Sequence, residues 1–249
     1  MHNLATAPSL TAPSLWPALI ERIHRLGRLS RQFGTPAMIR WVADRVAKRL
    51  IYFQVDNLVC FDVDRLPEPP LIEPGLAFRF LTPAELQACS ADPANDIDPW
   101  LVERAAAGQE LCFAVFVHER LAGYGWCTFG SIDPRHCEGV TMSCPSHVAY
   151  TYKGFTHPEF RGKRLNGLRV LLAAKQLAER GTKKIVALVD WTNGHSMRSC
   201  LDTGGTVLGR LMTIGIGRYR WTFPPKAARE IGIEFRPHAG RLGLRPDQH

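Results

Sequence analysis

The hydrophobic pattern changes character at the stretch Pro67 to Pro74. Upstream, Ile20, Ile23, Leu26 and Leu29 recur every three residues between about Trp16 and Gln32. Gly34 and Pro36 interrupt the run, and Ile39, Val42, Val46, Leu50 and Phe53 then follow at helical spacing. Two amphipathic helices are predicted there. The segment Pro-Glu-Pro-Pro-Leu-Ile-Glu-Pro cannot continue a helix and reads as a connection. Downstream the apolar runs are short. They predict strand Leu76 to Leu81, helices Pro83 to Ala88 and Pro99 to Ala107, and strands Leu111 to Val117 and Leu121 to Phe129. Strand Val148 to Thr156, helix Leu165 to Arg180 closed by Gly181, strand Lys184 to Val189 and helix Ser196 to Thr203 come next, before strands Val207 to Ile216 and Tyr219 to Phe223. Strands that meander and then alternate with helices predict an α/β or α+β domain over 76–223. A helical extension over 1–66, the connection over 67–75 and a polar tail over 224–249 surround it.

Composition narrows the class. The chain is 45% hydrophobic and 22% charged over 249 residues, enough to bury a sizeable core, which excludes a disordered chain or a fibre. The longest uninterrupted apolar run is Leu111 to Val117, whereas a membrane-spanning helix needs roughly 20 residues. The first twenty residues hold three prolines and no Lys or Arg, so no secretion signal is expected and a cytoplasmic location follows. Seven cysteines show no Cys-x-x-Cys spacing, and the group Cys127, Cys137, Cys144 with His136 has the spacing of no common metal site. Reduced thiols and no metal are expected.

Charge changes the picture more. The net +8 is concentrated between Glu21 and Arg49, where eight basic residues face two acids. This balance favours an acidic partner such as a phosphorylated cofactor, an acidic carrier protein or an anionic membrane surface; nucleic acid is not expected. Alternatively, the helices of the extension dock on the main domain and leave a solvated basic side.

The stretch Thr156-His157-Pro158-Glu159-Phe160-Arg161-Gly162-Lys163-Arg164-Leu165-Asn166-Gly167 joins a predicted strand to a predicted helix. A helix N-terminus presents free N–H groups and partial positive charge, and Arg161, Lys163 and Arg164 add cations, so the turn suits a pyrophosphate. One strand later, Asp190-Trp191-Thr192-Asn193-Gly194-His195-Ser196 repeats the strand-to-helix step. Both turns then lie at one sheet edge, where open α/β sheets bind ligands.

Together these stretches resemble the GNAT acetyltransferase superfamily, over roughly Leu76 to Phe223 and most specifically from Val148 to Gly205. In that family a strand ends in Val-x-Pro followed by Arg/Gln-x-x-Gly-x-Gly/Ala. Thr156, Pro158 and Arg161 take the Val, Pro and Arg places, Gly162 suits a common variant, and Arg164 and Asn166 stand where glycines are usual. Asn193, Ser196 and Gly204 match a second motif, and Cys200 stands where many members have a Tyr that protonates the leaving thiolate.

The resemblance implies a mixed, mostly antiparallel central sheet flanked by helices. It also implies an N-acetyltransferase that moves an acetyl group from acetyl-CoA to a small-molecule or peptidyl amine by direct attack. Phe155, Thr156, Arg161, Gly162, Lys163, Arg164, Leu165, Asn166, Gly167, Asn193 and Ser196 would bind the donor. Its pantetheine would run between the strands ending at Thr156 and Val189. Tyr150, Tyr152 and Cys200 are the catalytic candidates, with His147 and His157 as further bases. A longer acyl-CoA or an acyl carrier protein thioester as donor, and a non-catalytic CoA-binding module, are the competing readings.

Overall fold

A computed structural model describes residues 51–133, 136–137, 140–216 and 219–237. Two compact units divide at Ile51/Tyr52, and the second, Tyr52–His249, holds nearly all of the described residues. The helices predicted between Trp16 and Leu50 lie outside them.

Among the described residues, eight strands form the main sheet. They are β1 (Ile51–Asp62), β2 (Leu76–Phe80), β3 (Leu111–Val117), β4 (Arg120–Phe129), β7 (Val148–Thr156), β8 (Lys184–Asp190), β9 (Thr206–Ile216) and β10 (Tyr219–Phe223), in the order β10-β9-β1-β8-β7-β4-β3-β2. Pairing is antiparallel between β2 and β3, β3 and β4, β4 and β7, β1 and β8, and β9 and β10, whereas β7 and β8 run parallel. The expected mixed, mostly antiparallel sheet is present. A small second sheet joins β5 (Ser131–Ile132), β6 (Val140–Ser143) and β11 (Glu234–Pro237).

Among the described residues, five helices pack against the sheets. α1 (Pro83–Ser90) and α2 (Pro99–Ala106) pack Leu86, Leu101 and Val102 onto the buried ring of Tyr124 and Trp126. On the other face, α3 (Leu165–Ala178) buries Val170, Ala174 and Leu177 against Cys127, Ala149, Ile185 and Ala187, and Met197 and Cys200 of α4 (Gly194–Asp202) join that cluster. No helix among the described residues is long and apolar enough to cross a membrane. The seven cysteines carry free thiols.

Two predicted boundaries move. Residues 51–62 were expected to close a helix and belong to an extension ending at residue 66, yet they form a central strand in which Leu58, Val59, Cys60 and Phe61 are all buried. A strand covered on both faces is apolar without alternation, which removes the period-2 signal. Residues 224–237 were expected to be a tail, yet α5 (Lys226–Glu230) and β11 set Ala228 and Ile233 into the core beneath β6.

Candidate active site

The site is opened by a disagreement between two neighbouring strands. β7 and β8 pair only from Val148/Lys184 to Thr151/Ala187, and residues 152–156 and 188–190 then part. Each side of the wedge is held elsewhere: β8 is paired with β1 from Lys184 to Asp190, and β7 with β4 as far as Thr156. The cause on the β7 side is a bulge, in which Lys153 and Gly154 together face the single residue Gly125. An extra residue bends the bulged strand away from its former line. Lys153 sits there at φ 44°, an uncommon conformation for a residue with a side chain, and its Nζ is anchored 2.7 Å from Asp98 Oδ2 at the start of α2.

At the wide end of the wedge the chain turns through Pro158–Phe160 into α3. Gly162 at φ 78° and Arg164 at φ 56° are both left-handed, and Arg164 serves as the N-cap with no side-chain hydrogen bond to the helix. The N–H groups of Lys163 to Gly167 donate to no acceptor among the described residues. Those amides fit a diphosphate. Arg161, Lys163 and Arg164 are exposed around them, and Arg161 Nε is steadied by Thr156 O at 3.2 Å.

The predicted donor residues divide. Phe155, Thr156, Arg161, Gly162, Lys163 and Arg164 all lie at the wedge or its turn, and Leu165 is buried as the first residue of α3. Asn166 and Gly167 contribute backbone amides, but beyond the backbone they serve the packing of helices: Asn166 Nδ2 donates to Ser199 Oγ at 3.2 Å, and a Cβ on Gly167 would fall 2.8 Å from Thr203 Oγ1. Asn193 caps α4, its Oδ1 accepting from the Ser196 N–H at 3.0 Å.

The catalytic candidates change more. Tyr150 is 2% exposed under the small sheet and donates to His136 O, so it is a core residue rather than a base. Tyr152, at the point of parting, donates to Glu110 Oε2 at 2.8 Å, and burial together with that carboxylate pushes its phenol far above the usual range. Cys200 is half-buried against the α3 side of the sheet, and burial raises its thiol. His147 lies at the paired end of β7, away from the wedge. His157 follows the parted stretch, with Nε2 3.2 Å from Asn95 Oδ1.

Sequence reasoning missed Glu110. Its carboxylate is fully buried and also meets Arg104 Nε at 2.9 Å and His136 Nε2 at 3.2 Å. Burial alone would raise its pKa, but the hydrogen bonds from His136, Tyr152 and Arg104 outweigh that and hold it below the usual carboxylate value. A lone acid directly before the seven-residue apolar run Leu111 to Val117 is the signal the sequence offers.

The wedge beside an uncapped helix is the arrangement that the family resemblance implied for an acyl-CoA donor. The mixed, mostly antiparallel sheet with its flanking helices is the architecture that the resemblance implied. No family model matches the chain, and no curated protein does. Solved structures similar to it include a GCN5-related N-acetyltransferase from Kribbella flavida (13% identity, TM-score 0.46, 70% of this chain and 63% of that one). A putative GNAT-family acetyltransferase from Novosphingobium aromaticivorans (19%, 0.47, 68% and 66%) and a GNAT-family acetyltransferase from Colwellia psychrerythraea (15%, 0.49, 82% and 74%) are also similar. The chain thus spans less than two thirds of the length of the first two.

Proposed function

We propose that this chain is an N-acyltransferase that passes an acetyl group from acetyl-CoA to an amine. The observation that supports it is the open wedge between β7 and β8 ending at the uncapped, basic N-terminus of α3. When bound there, the thioester supplies an activated acyl carbon; the remaining work belongs to the chain. Amides of Lys163 to Gly167 and the side chains of Arg161, Lys163 and Arg164 hold the diphosphate. The β7 edge over residues 152–156 has no strand partner on the β8 side and offers backbone groups to an extended ligand. Tyr152, fixed by Glu110, forms part of the acceptor wall and keeps its proton. His157 is the candidate base nearest the wide end of the wedge, and orientation of amine and thioester supplies much of the rate.

The test is calorimetry with coenzyme A and with pantetheine lacking the phosphates, followed by thiol release in a mixed amine pool. Coenzyme A should bind far more tightly, and equal affinities would count against the site. A carrier-protein thioester is the second reading, supported by the excess of basic residues between Glu21 and Arg49, which an acidic carrier would complement.

A further inference from the structure

Arg169 carries a charge that no group among the described residues neutralises. It projects from α3, is 6% exposed, and makes one hydrogen bond among the described residues, from Nη2 to Asn166 Oδ1 at 2.8 Å; its Nε has no acceptor. The ionisable groups acting on it are the thiols of Cys112, Cys127 and Cys200, with no carboxylate among them. Burial pushes all three thiols up, Cys127 to about 12, so none supplies a negative charge. A buried cation without a counterion destabilises a fold.

The surroundings are nevertheless shaped to admit it. A Cβ on Gly125 would fall 2.0 Å from Nη1, and one on Gly154 would fall 3.5 Å from Nη2. Gly154 is one of the two bulged residues of β7, and Gly125 is the residue of β4 that they face. Asn166, in the first turn of α3, takes the hydrogen bond from Arg169 and donates its own to Ser199 of α4. The guanidinium therefore lies against β4 and the bulge of β7, beside the first turn of α3. Cys200, one residue along α4 from Ser199, stands where the family resemblance sets the acid for the leaving thiolate.

We propose that Arg169 is the counter-charge for the thiolate that leaves the acyl donor. The proposal rests on reading the wedge as an acyl-CoA site. The acceptor nitrogen forms a bond to the acyl carbon, and the carbon–sulfur bond breaks with its electron pair on sulfur. Of the two protons the acceptor ammonium loses, one goes to solvent and the other ends on sulfur. Arg169 exchanges none, because a guanidinium stays protonated at neutral pH. It lowers the energy of the sulfur anion through a fixed charge in dry surroundings, where such a charge acts strongly.

The experiment is an ultraviolet titration of the thiolate of coenzyme A bound to the full chain. In the wild type the bound thiol should titrate at least about one unit below its value in free coenzyme A. In Arg169→Met it should return to that value or rise above it, with turnover reduced roughly tenfold to a hundredfold. Asn166→Asp leaves the guanidinium in place but gives it a carboxylate, and should raise the bound thiol likewise; it decides the matter if Arg169→Met does not fold. Identical titrations in wild type and variants overturn the proposal, and a lowered Tm with an unchanged titration identifies a structural role instead. Failure of the wild type to bind coenzyme A would remove the donor reading itself, and this proposal with it.

Discussion

Tyr152 donates its phenolic hydrogen to Glu110 across 42 positions of sequence, tying the strand edge where β7 and β8 begin to part to the residue that precedes β3. The ring of His136 stacks on Trp100 and lies 4.0 Å from that of Tyr152, so the same carboxylate orders an aromatic wall. A donor on every side leaves Glu110 no freedom to act as a mobile base.

Glu110→Gln should lower stability by about 3 kcal/mol near pH 7, since removing one partner strands the others in the interior. The folded pKa of Glu110 lies below its unfolded value, so its stabilisation is present above the unfolded value of about 4.3 and is lost as pH falls through the folded one. Urea unfolding of wild type and variant should therefore converge as the pH is lowered toward that range. A gap that stays constant would show that the ionised form contributes nothing.

Gly167→Ala should push α3 away from α4, because the new methyl would meet Thr203 Oγ1 at 2.8 Å. A loss of about 1 to 3 kcal/mol is expected, from which the better helix propensity of Ala subtracts part. The double variant with Thr203→Ala should recover most of it in thermal unfolding.

Removal of residues 1–50 should leave a cooperatively folding domain, as the compact unit begins at Tyr52. Removal through Asp62 takes out the strand between β8 and β9 and should abolish folding. The shorter truncation should also lose salt-sensitive association with an acidic carrier protein, measured by surface binding at rising ionic strength.

Arg161→Ala should weaken coenzyme A binding by roughly 1.5 to 3 kcal/mol with Tm unchanged, because the exposed side chain braces only the carbonyl of Thr156. Calorimetry checks it; a fall in Tm without loss of affinity would make Arg161 structural.

Cys200→Ala should reduce turnover less than about tenfold, or roughly 1.4 kcal/mol of barrier, since burial already disfavours proton loss from this thiol. A hundredfold loss at unchanged donor affinity would make it the acid for sulfur.

Apart from β5 and β6, the strands and helices between Leu76 and Phe223 were legible because each run is bounded by turn chemistry or a change of period, as at Thr82, which caps α1 through Glu85. The basic turn before α3 was legible too, since its amides and cations are contiguous. β1 was not, because a helical spacing runs through Ile39 to Phe53 and the following residues are buried on both faces. Tyr150 and Tyr152 do share a face of β7, but alternation is silent about what covers each end of that face. Small strand β6 and the later β11 cover one; Glu110 meets the other from a distant segment. Arg169 reads as an ordinary polar position on a helix until the two glycines of the bulge are set against it.

The insertion of β1 between β8 and β9 also sets a timetable. Asp62 meets Lys184, its partner in the ladder and in an ion pair at 3.0 Å, 122 residues later in the chain. At synthesis rates of about 5 to 20 residues per second, the apolar segment Leu58 to Phe61 leaves the ribosome roughly 6 to 24 seconds before the strand that shields it. During that interval it is an unpaired strand with both faces bare, the kind of segment that joins other chains or is held by a chaperone.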